Sequence, residues 1–339
     1  MASAVGVVVD KKLTRLNSIS PEQHPMPLAS IIITTHNRPG WLPRAVSSAQ
    51  TAGTNIEVVV VDDASSDETA AVCKNLSGIK YVRVETNQGV AGARNIGLVA
   101  SRGEYLSFLD DDDTRLPDSM DAQIDSLRRE PQAGLIYGRA IYGTQEGLPG
   151  KQSYPNECPA GDIFWKLLGR NFIPCGSAVF RRSCLTRVGL LNDAIAGLDD
   201  WDLWVRIAEV YPILSAEAPV IVWRRSAPNS GQGTSRAAQL VTKSIGQFRN
   251  DWMRLPRALS APGKQRRSAW REFSENMTEH LIWESGRAVR CGEWSQAMWN
   301  LLVLPRFSPL TLMRIVRHRV FRVRRAGSSG PLSTFSNQV

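Results

Sequence analysis

The chain has 339 residues, of which 42% are hydrophobic and 22% are charged, and this length suggests about two domains. The composition allows a buried core, which excludes a collagen-like or wholly disordered chain. The formal net charge is +9. Residues 301–339 hold seven of the 41 basic side chains and none of the 32 acidic ones, so residues 1–300 carry 34 minus 32, or +2. The basic excess therefore belongs to the C-terminal part, and no nucleic-acid partner is expected.

Neither a membrane span nor an export signal is expected from the sequence. No apolar run approaches the ~20 residues of a transmembrane helix, and the first residues lack the basic start and the apolar stretch of a signal peptide. The five cysteines are scattered and never spaced as C-x-x-C, which argues against a disulfide framework and a zinc site. We therefore predict a cytoplasmic protein.

From about residue 28, short β-branched runs alternate with amphipathic stretches, a pattern typical of a parallel α/β sheet flanked by helices. The strands are predicted at residues 28–35, 56–61, 80–85, 105–109 and 135–142, and the helices between them at 41–51, 67–76, 90–101 and 118–130. Ser65 and Glu68 have the spacing of a capping box for the second helix. Beyond Gly143 the pattern is less regular, with strands expected at 177–181 and 213–223 and a helix at 200–210.

Acidic residues cluster at three predicted element boundaries. The clusters are Asp62-Asp63, Asp110-Asp111-Asp112-Asp113 and Asp199-Asp200. Adjacent carboxylates repel one another unless a cation or backbone N–H groups offset their charge, and ligands of open α/β sheets bind outside the carboxyl ends of the strands. One such cluster alone would fit a solvated turn equally well. Three clusters together predict a cleft in which a divalent ion, a nucleotide and a general base each use carboxylates.

Four stretches of the chain carry motifs that follow one another in a recognisable order. They are LASIIITTHNRPGWLPRAVSSAQ, IEVVVVDDASSDET, NQGVAGARNIGLVASRGEYLSFLDDDD and GLDDWDLWVRI. Together they resemble the inverting glycosyltransferases of family 2 over about residues 28–223. The resemblance implies a GT-A domain at 28–225, with a Rossmann-like, mostly parallel sheet flanked by helices. Around it we expect an N-terminal extension at 1–27, a helical C-terminal region at 226–325 and a disordered tail at 326–339.

The same resemblance implies a nucleotide pocket at the carboxyl ends of the strands. Thr34 and His36 would line it, and Asp63 would accept a hydrogen bond from the base, such as N3–H of uracil. The loop and helix start beside the diphosphate would offer backbone N–H groups and a guanidinium to its negative charge. The remaining residues that the resemblance places with the nucleotide are Gly89, Arg94, Asn95 and Asp111.

A metal site and a catalytic base are implied as well. Asp110 and Asp112 form the D-x-D element of the family, which would hold Mg²⁺ or Mn²⁺ beside the leaving phosphate. Asp200 matches the catalytic base, which takes the proton of the attacking acceptor hydroxyl. Its neighbour Asp199 should raise the pKa of Asp200 through like-charge repulsion. A single displacement of this kind inverts the anomeric configuration.

Some positions depart from the family or allow two interpretations. Ser226 stands where relatives often have a histidine near the metal, and His36 replaces a frequent aromatic residue. The Q-x-x-R-W element of processive synthases is absent, so we expect transfer of one or a few sugars. Trp201 and Trp204 would either shape an acceptor pocket or belong to the core.

The segment 310–325 places apolar residues on one helical face and arginines over most of the rest. Such a helix suits an anionic membrane surface, and packing on the catalytic domain is an equal alternative. Peripheral contact with the inner face of the cell membrane is therefore one expectation for this chain.

The functional prediction is a non-processive, inverting glycosyltransferase with a nucleotide-sugar donor, in which UDP is the expected nucleotide. A glycan or lipid-linked acceptor in surface polysaccharide or glycoconjugate synthesis would be its second substrate. Two alternatives remain open from the sequence. They are a metal-dependent nucleotidyltransferase, although residues 34–40 lack a Gly-rich basic phosphate loop, and a catalytically degenerate sugar-nucleotide-binding protein.

Overall fold

A computed structural model describes residues 26–224 and 237–307. Most of the expected N-terminal extension, the predicted boundary with Ser226, the segment 310–325 and the tail at 326–339 lie outside these described residues. Between residues 26 and 307, no described helix combines the length and the hydropathy needed to cross a membrane.

A nine-stranded mixed sheet forms the centre of the described part. Its strands are β1 (Ala29–Thr35), β2 (Ile56–Asp63), β3 (Ile79–Val84), β4 (Tyr105–Asp110), β5 (Thr114–Arg115), β6 (Leu135–Gly143), β7 (Pro149–Tyr154), β8 (Val179–Arg181) and β9 (Ile213–Arg224). Their order is β3-β2-β1-β4-β8-β6-β9-β5, with β7 paired to β6. The first four strands are parallel, whereas β8 runs antiparallel to β4 and β6.

Helices cover both faces of the sheet and continue beyond it. They are α1 (Leu42–Gln50), α2 (Thr69–Asn75), α3 (Gly89–Ala100), α4 (Ser119–Arg129), α5 (Phe164–Gly169), α6 (Leu185–Val188), α7 (Asp199–Val210), α8 (Ala237–Asn250), α9 (Pro256–Ser260), α10 (Gly263–Arg290) and α11 (Trp294–Val303). The expected α/β class and the helical C-terminal region are thereby confirmed.

The apolar strands are buried on both faces. In β1, Ile31 and Ile33 belong to one core cluster and Ile32 to the other, because successive side chains of a strand point to opposite faces. A parallel strand covered on both sides needs such a continuous apolar run. On one side, α3 lies so close that a Cβ at Gly97 would stand 2.3 Å from a methyl group of Ile32. The glycine permits this contact between helix and sheet.

The predicted elements agree with the structure to within about two residues, with three kinds of exception. The region beyond Gly143 contains the short helix α5 and the strand β7, and β5 precedes α4; no periodic signal exists for these short elements. The predicted strand at 177–181 begins only at Val179, after a 3₁₀ turn at Cys175–Ser177. The capping-box prediction is wrong, because α2 begins at Thr69 and the Ser65 hydroxyl instead accepts the backbone N–H of Asn37.

The C-terminal helices share the main core with the sheet. The ring of Trp201 on α7 lies 4.8 Å from that of Trp252 and 6.3 Å from that of Phe273 on α10, measured between ring centres. Phe248 on α8 completes this aromatic group at 4.6 Å from Phe273. The helices after residue 236 are therefore packed against the sheet and its flanking helices rather than attached as a separate body.

Candidate active site

The parallel strands bring the first acidic clusters to one edge of the sheet. Thr34 on β1 is in register with Asp110 on β4, and Thr35 is in register with Asp62 on β2. A cavity of about 820 Å³ opens at this edge, within the size range of ligand pockets. The predicted residues that line it are Thr34, His36, Asp63, Gly89, Arg94, Asp110, Asp111, Asp112 and Asp200.

The base-binding prediction concerns Asp63, which lies buried at the end of β2. Its Oδ1 accepts the backbone N–H of Gln88 at 2.7 Å, which ties β2 to the start of α3. Burial raises the pKa of Asp63 above its ordinary value, while the Gln88 hydrogen bond opposes this shift. His36 Nδ1 lies 2.6 Å from the Asp63 carbonyl oxygen, so the histidine side chain is fixed against the same strand end.

The start of α3 also borders the cavity. Gly89 has a φ of 71°, in the left-handed region that favours glycine, and an added Cβ would meet no atom within 4 Å. The backbone conformation rather than space therefore selects glycine here. The helix start leaves N–H groups that an anion can use.

Arg38 binds two consecutive residues of the acidic loop. One nitrogen donates to Asp111 Oδ1 at 2.6 Å and another to Asp112 Oδ2 at 2.8 Å. Asp111 is buried and also accepts the Thr35 hydroxyl at 2.7 Å. Burial raises the pKa of Asp111 to about 7, and the Arg38 charge opposes this shift. Arg38 thus compensates part of the repulsion within the run of four aspartates.

Arg224, at the end of β9, binds the same loop from the other side. Its side chain donates to Asp112 Oδ2 at 3.1 Å, and its backbone N–H donates to Asp113 Oδ1 at 2.8 Å. The guanidinium stacks over the Trp41 ring at 3.9 Å from the ring centre, a cation–π arrangement. The acidic loop is therefore held between the first and last strands of the sheet domain.

Arg94 connects the acidic loop to the third cluster. The buried guanidinium donates to Asp110 Oδ1 at 2.7 Å and to Asp199 Oδ2 at 2.8 Å. The guanidinium and Asp199 lie in the interior, where a charge needs a partner. Arg94 therefore fixes the start of α7 relative to the D-x-D element.

Asp200 follows at the first turn of α7 and lines the cavity. Burial, and then the charge of Asp199, raise the pKa of Asp200 to about 7, while Arg94 opposes the shift. The expected effect of Asp199 on Asp200 thus agrees with the structure, although burial is the larger cause. A carboxylate with a pKa near neutrality is suited to accept a proton at working pH.

Two of the residues singled out from the sequence lie elsewhere. Asn95 is outside the cavity lining, because its side-chain amide exchanges two hydrogen bonds with the Leu191 backbone at 2.9 and 3.0 Å. We correct that assignment: Asn95 joins α3 to a loop. Trp204 is a fully buried core residue beside Phe108 and Phe180. Trp201 is buried in the core and also lines the cavity, so its part in an acceptor pocket stays a prediction.

Sequence reasoning missed one wall of the cavity. Leu240 on α8 and Met277 and His280 on α10 line it together with Asn276. His280 is buried, and its Nε2 has no hydrogen-bond partner among the described residues. Burial lowers the pKa of this imidazole, so it is neutral near pH 7. The sequence of an amphipathic helix does not indicate which of its residues will face a distant strand end. This wall of the cavity was therefore not predictable from the local sequence.

Two carboxylates of the acidic loop are candidate ligands for a divalent cation. Among the described residues, no three or more His, Cys, Asp or Glu side chains are grouped as metal ligands. Asp110 and Asp112 both face the cavity, and burial followed by the Asp110 charge raises the pKa of Asp112. Mg²⁺ is commonly held by one or two carboxylates, with substrate phosphates and water completing the shell. The two aspartates fit that arrangement and not an all-protein cage.

Comparisons with known proteins agree with this geometry. Residues 30–189 match the family model described as glycosyl transferase family 2. An uncharacterized glycosyltransferase from Haemophilus influenzae is 28% identical over 186 residues, which are 54% of this chain and 62% of that protein. The Escherichia coli protein named UDP-Glc:alpha-D-GlcNAc-diphosphoundecaprenol beta-1,3-glucosyltransferase WfaP is 29% identical over 187 residues, 54% of this chain and 70% of its own length.

The chain spans less than two thirds of the first of these relatives, and little more than a third of two longer relatives from Rickettsia. Among solved structures, the mannosyltransferase PcManGT from Pyrobaculum calidifontis, in complex with GDP-Man and Mn²⁺, superimposes with a TM-score of 0.53 at 17% identity. The match covers 86% of this chain and 90% of that one. At this identity the likeness establishes the fold.

The fold is that of GT-A glycosyltransferases, and the cavity lies at its acidic strand ends. The chain resembles glycosyltransferase family 2 over residues 30–189. The relatives and the structure named above are glycosyltransferases and not nucleotidyltransferases.

Proposed function

We propose that the protein is a non-processive, inverting glycosyltransferase that moves a sugar from a nucleotide-diphosphate sugar to an acceptor hydroxyl. The observation that carries this proposal is the position of Asp200. Its carboxyl group, with a pKa of about 7, lines the same cavity as Asp110 and Asp112. A catalytic base and a diphosphate-binding element that face the same cavity can act on opposite sides of the anomeric carbon of a sugar.

The donor nucleotide would lie along the strand ends. Asp63, beside His36 and Thr34, would accept a hydrogen bond from the base, and this role favours uracil. Gly89 and the first N–H groups of α3 would face the diphosphate, with Asp111 and Arg94 at its side. A UDP-sugar is supported by the name of the relative WfaP, which acts from UDP-Glc.

In the reaction, the acceptor oxygen attacks the anomeric carbon as the bond from that carbon to the diphosphate oxygen breaks. The hydroxyl proton passes to the carboxylate of Asp200. Arg94 positions Asp199, and so keeps the first turn of α7 facing the acidic loop. Mg²⁺ or Mn²⁺ bound by Asp110 and Asp112 would neutralise the charge that develops on the leaving diphosphate.

The acceptor would enter between Asp200 and the wall formed by α8 and α10. WfaP carries a sugar linked to diphosphoundecaprenol in its name, and this supports a glycan or lipid-linked acceptor in polysaccharide or glycoconjugate synthesis. A lipid-linked acceptor would bring the enzyme into peripheral contact with the membrane, which is one of the two expectations from the sequence.

The test uses UDP-glucose and a synthetic GlcNAc-diphosphate lipid as probes. We expect Asp200→Asn to keep metal-dependent UDP binding and to lower kcat by at least about 100-fold, in line with the contribution of a general base. Asp193→Asn, an exposed aspartate on the turn before α7, serves as the control and should keep wild-type turnover. Inversion is read from the anomeric NMR signal of the product. Normal turnover by Asp200→Asn would remove the base assignment.

A further inference from the structure

The outer face of α11 is apolar and exposed. Trp294, Met298, Leu301 and Leu302 lie within about 100° of one another around a helix of 3.6 residues per turn, and more than half of each residue is exposed. Trp299 stands at the margin of this face and is likewise exposed. A contiguous surface of this kind on a protein marks an interaction site. We call these five residues the α11 face.

The opposite side of the same helix is fixed to the protein. Ala297, Asn300 and Val303 are buried, and Asn300 Oδ1 accepts the backbone N–H of Ala238 at 3.1 Å, at the start of α8. Since α8 and α10 also supply one wall of the cavity, α11 sits on the elements that border the proposed acceptor side. The α11 face therefore has a rigid relation to the active site.

The charge around the α11 face is positive. Arg290 ends α10 just before it, and Arg306 follows it in an exposed turn. From Trp294 to Val339 the sequence contains seven arginines and no Asp or Glu. The carboxylate nearest in sequence, Glu293, lies 3.6 Å from Arg287, which also binds Glu284 at 2.8 Å.

We propose that the α11 face docks on an anionic lipid bilayer, with α11 lying in the plane of the interface. Tryptophan and leucine side chains suit the boundary between headgroups and acyl chains, and arginines are attracted to anionic headgroups. An apolar face flanked by arginines and followed by an acid-free chain matches this partner better than a neutral or acidic one. That this docking would help the enzyme reach a lipid-linked acceptor rests on the proposed function. The docking itself does not rest on it.

The experiment measures flotation of the full chain with phosphatidylcholine vesicles, with and without phosphatidylglycerol, in the absence of nucleotide and acceptor. Failure of the docking proposal is thereby distinguishable from failure of the transfer reaction. We expect binding only to the anionic vesicles, and weaker binding at high salt. The double variant Trp294→Ser/Leu302→Ser should lose at least about tenfold in affinity, because two interfacial apolar side chains are removed.

The matched control is Val99→Ser/Leu259→Ser, which makes the same kind of change at two exposed apolar positions on α3 and α9. It should bind the vesicles as the wild type does. The proposal would be overturned if the α11 double variant bound anionic vesicles as tightly as the wild type. It would also be overturned if the wild type did not bind anionic vesicles at low salt. A wild-type dimer that the double variant abolishes would assign the face to a second copy instead. A lower unfolding midpoint of the α11 variant alone would assign it to the chain after residue 307.

Discussion

Arg94 and Asp199 are 105 positions apart in the sequence and form a buried ion pair at 2.8 Å. The arginine lies on α3, which follows the third strand, and the aspartate begins α7, which precedes the last strand. Because Arg94 also binds Asp110, this contact fixes the start of α7 relative to the acidic loop. It also brings a positive and a negative charge close to Asp200, with opposite effects on the pKa of that carboxyl group.

The first prediction concerns the pH dependence of that base. Asp199 raises the pKa of Asp200, and Arg94 lowers it. Asp199→Asn removes the first effect and leaves the second, so the pKa of Asp200 should fall. Since the base acts when deprotonated, the acidic limb of kcat/KM should move to lower pH, by about one unit. A pH profile of kcat/KM with the wild type as reference measures the shift.

An unchanged or alkaline-shifted limb would contradict this assignment. The amide oxygen that Asp199→Asn introduces would still accept a hydrogen bond from Arg94, so the variant is expected to fold, and thermal unfolding checks that it does. A loss of activity at every pH without a shifted limb would indicate displacement of α7 instead.

The second prediction concerns the D-x-D element. Asp112→Asn removes a carboxylate from the proposed cation site and leaves Arg38 and Arg224 with a neutral partner. Stabilisation of the fold by UDP with Mn²⁺ should largely disappear, whereas the wild type gains about 2.7 kcal/mol at a hundredfold ligand excess. Thermal unfolding with UDP, with and without Mn²⁺, measures the effect.

Asp125→Asn is the matched control, because Asp125 is exposed on α4 and pairs only loosely with Arg128 at 3.7 Å. It should retain the full metal-dependent stabilisation. The same stabilisation in Asp112→Asn would show that the diphosphate is bound without this carboxylate.

A third prediction addresses base preference. Asp63 uses Oδ1 to accept the Gln88 N–H, so Asp63→Asn can keep that contact and present an amide N–H₂ in place of Oδ2. Uracil offers an N3–H donor, whereas cytosine offers an N3 acceptor. The variant should therefore lose about tenfold in UDP affinity and gain relative affinity for CDP. Calorimetric titration with both diphosphates measures the ratio, and a ratio equal to that of the wild type would place the base elsewhere.

A fourth prediction tests the packing of α3 on the sheet. Gly97→Ala would put a Cβ 2.3 Å from Ile32, and such overpacking should lower the free energy of unfolding by about 1–3 kcal/mol. Gly246→Ala on α8 meets nothing within 4 Å, so it should raise that free energy by about 0.5–1 kcal/mol. Denaturant unfolding of the pair should give opposite signs. A stable Gly97→Ala variant would mean that α3 can shift without cost.

The sequence predicted the parallel half of the sheet and the acidic strand ends because both are local patterns. A run such as that of β1 identifies a strand, and the residues directly after it must lie at the carboxyl edge. The partners of those residues were not predictable in this way. Arg38 lies 73 positions from Asp111 and Arg224 lies 112 positions from Asp112, so only the folded chain shows that they meet.

Asn95 illustrates the opposite case. It lies one position after Arg94 in a motif that suggested a shared role. The two side chains of such neighbours on a helix point about 100° apart, and Asn95 turns toward Leu191 instead of the cavity. Adjacency in a motif on a helix therefore does not imply a shared site.

The wall formed by Leu240, Met277 and His280 has a consequence for the synthesis of the protein. Strands β1 to β4 and the acidic loop are translated before the residues of this wall. The wall is absent until α10 has been made and has docked on α7. A nascent chain, or one shortened to about residue 225, would present Trp201 to water where Trp252 and Phe273 now cover it. The core around Trp201 is thus complete only when translation of α10 is finished.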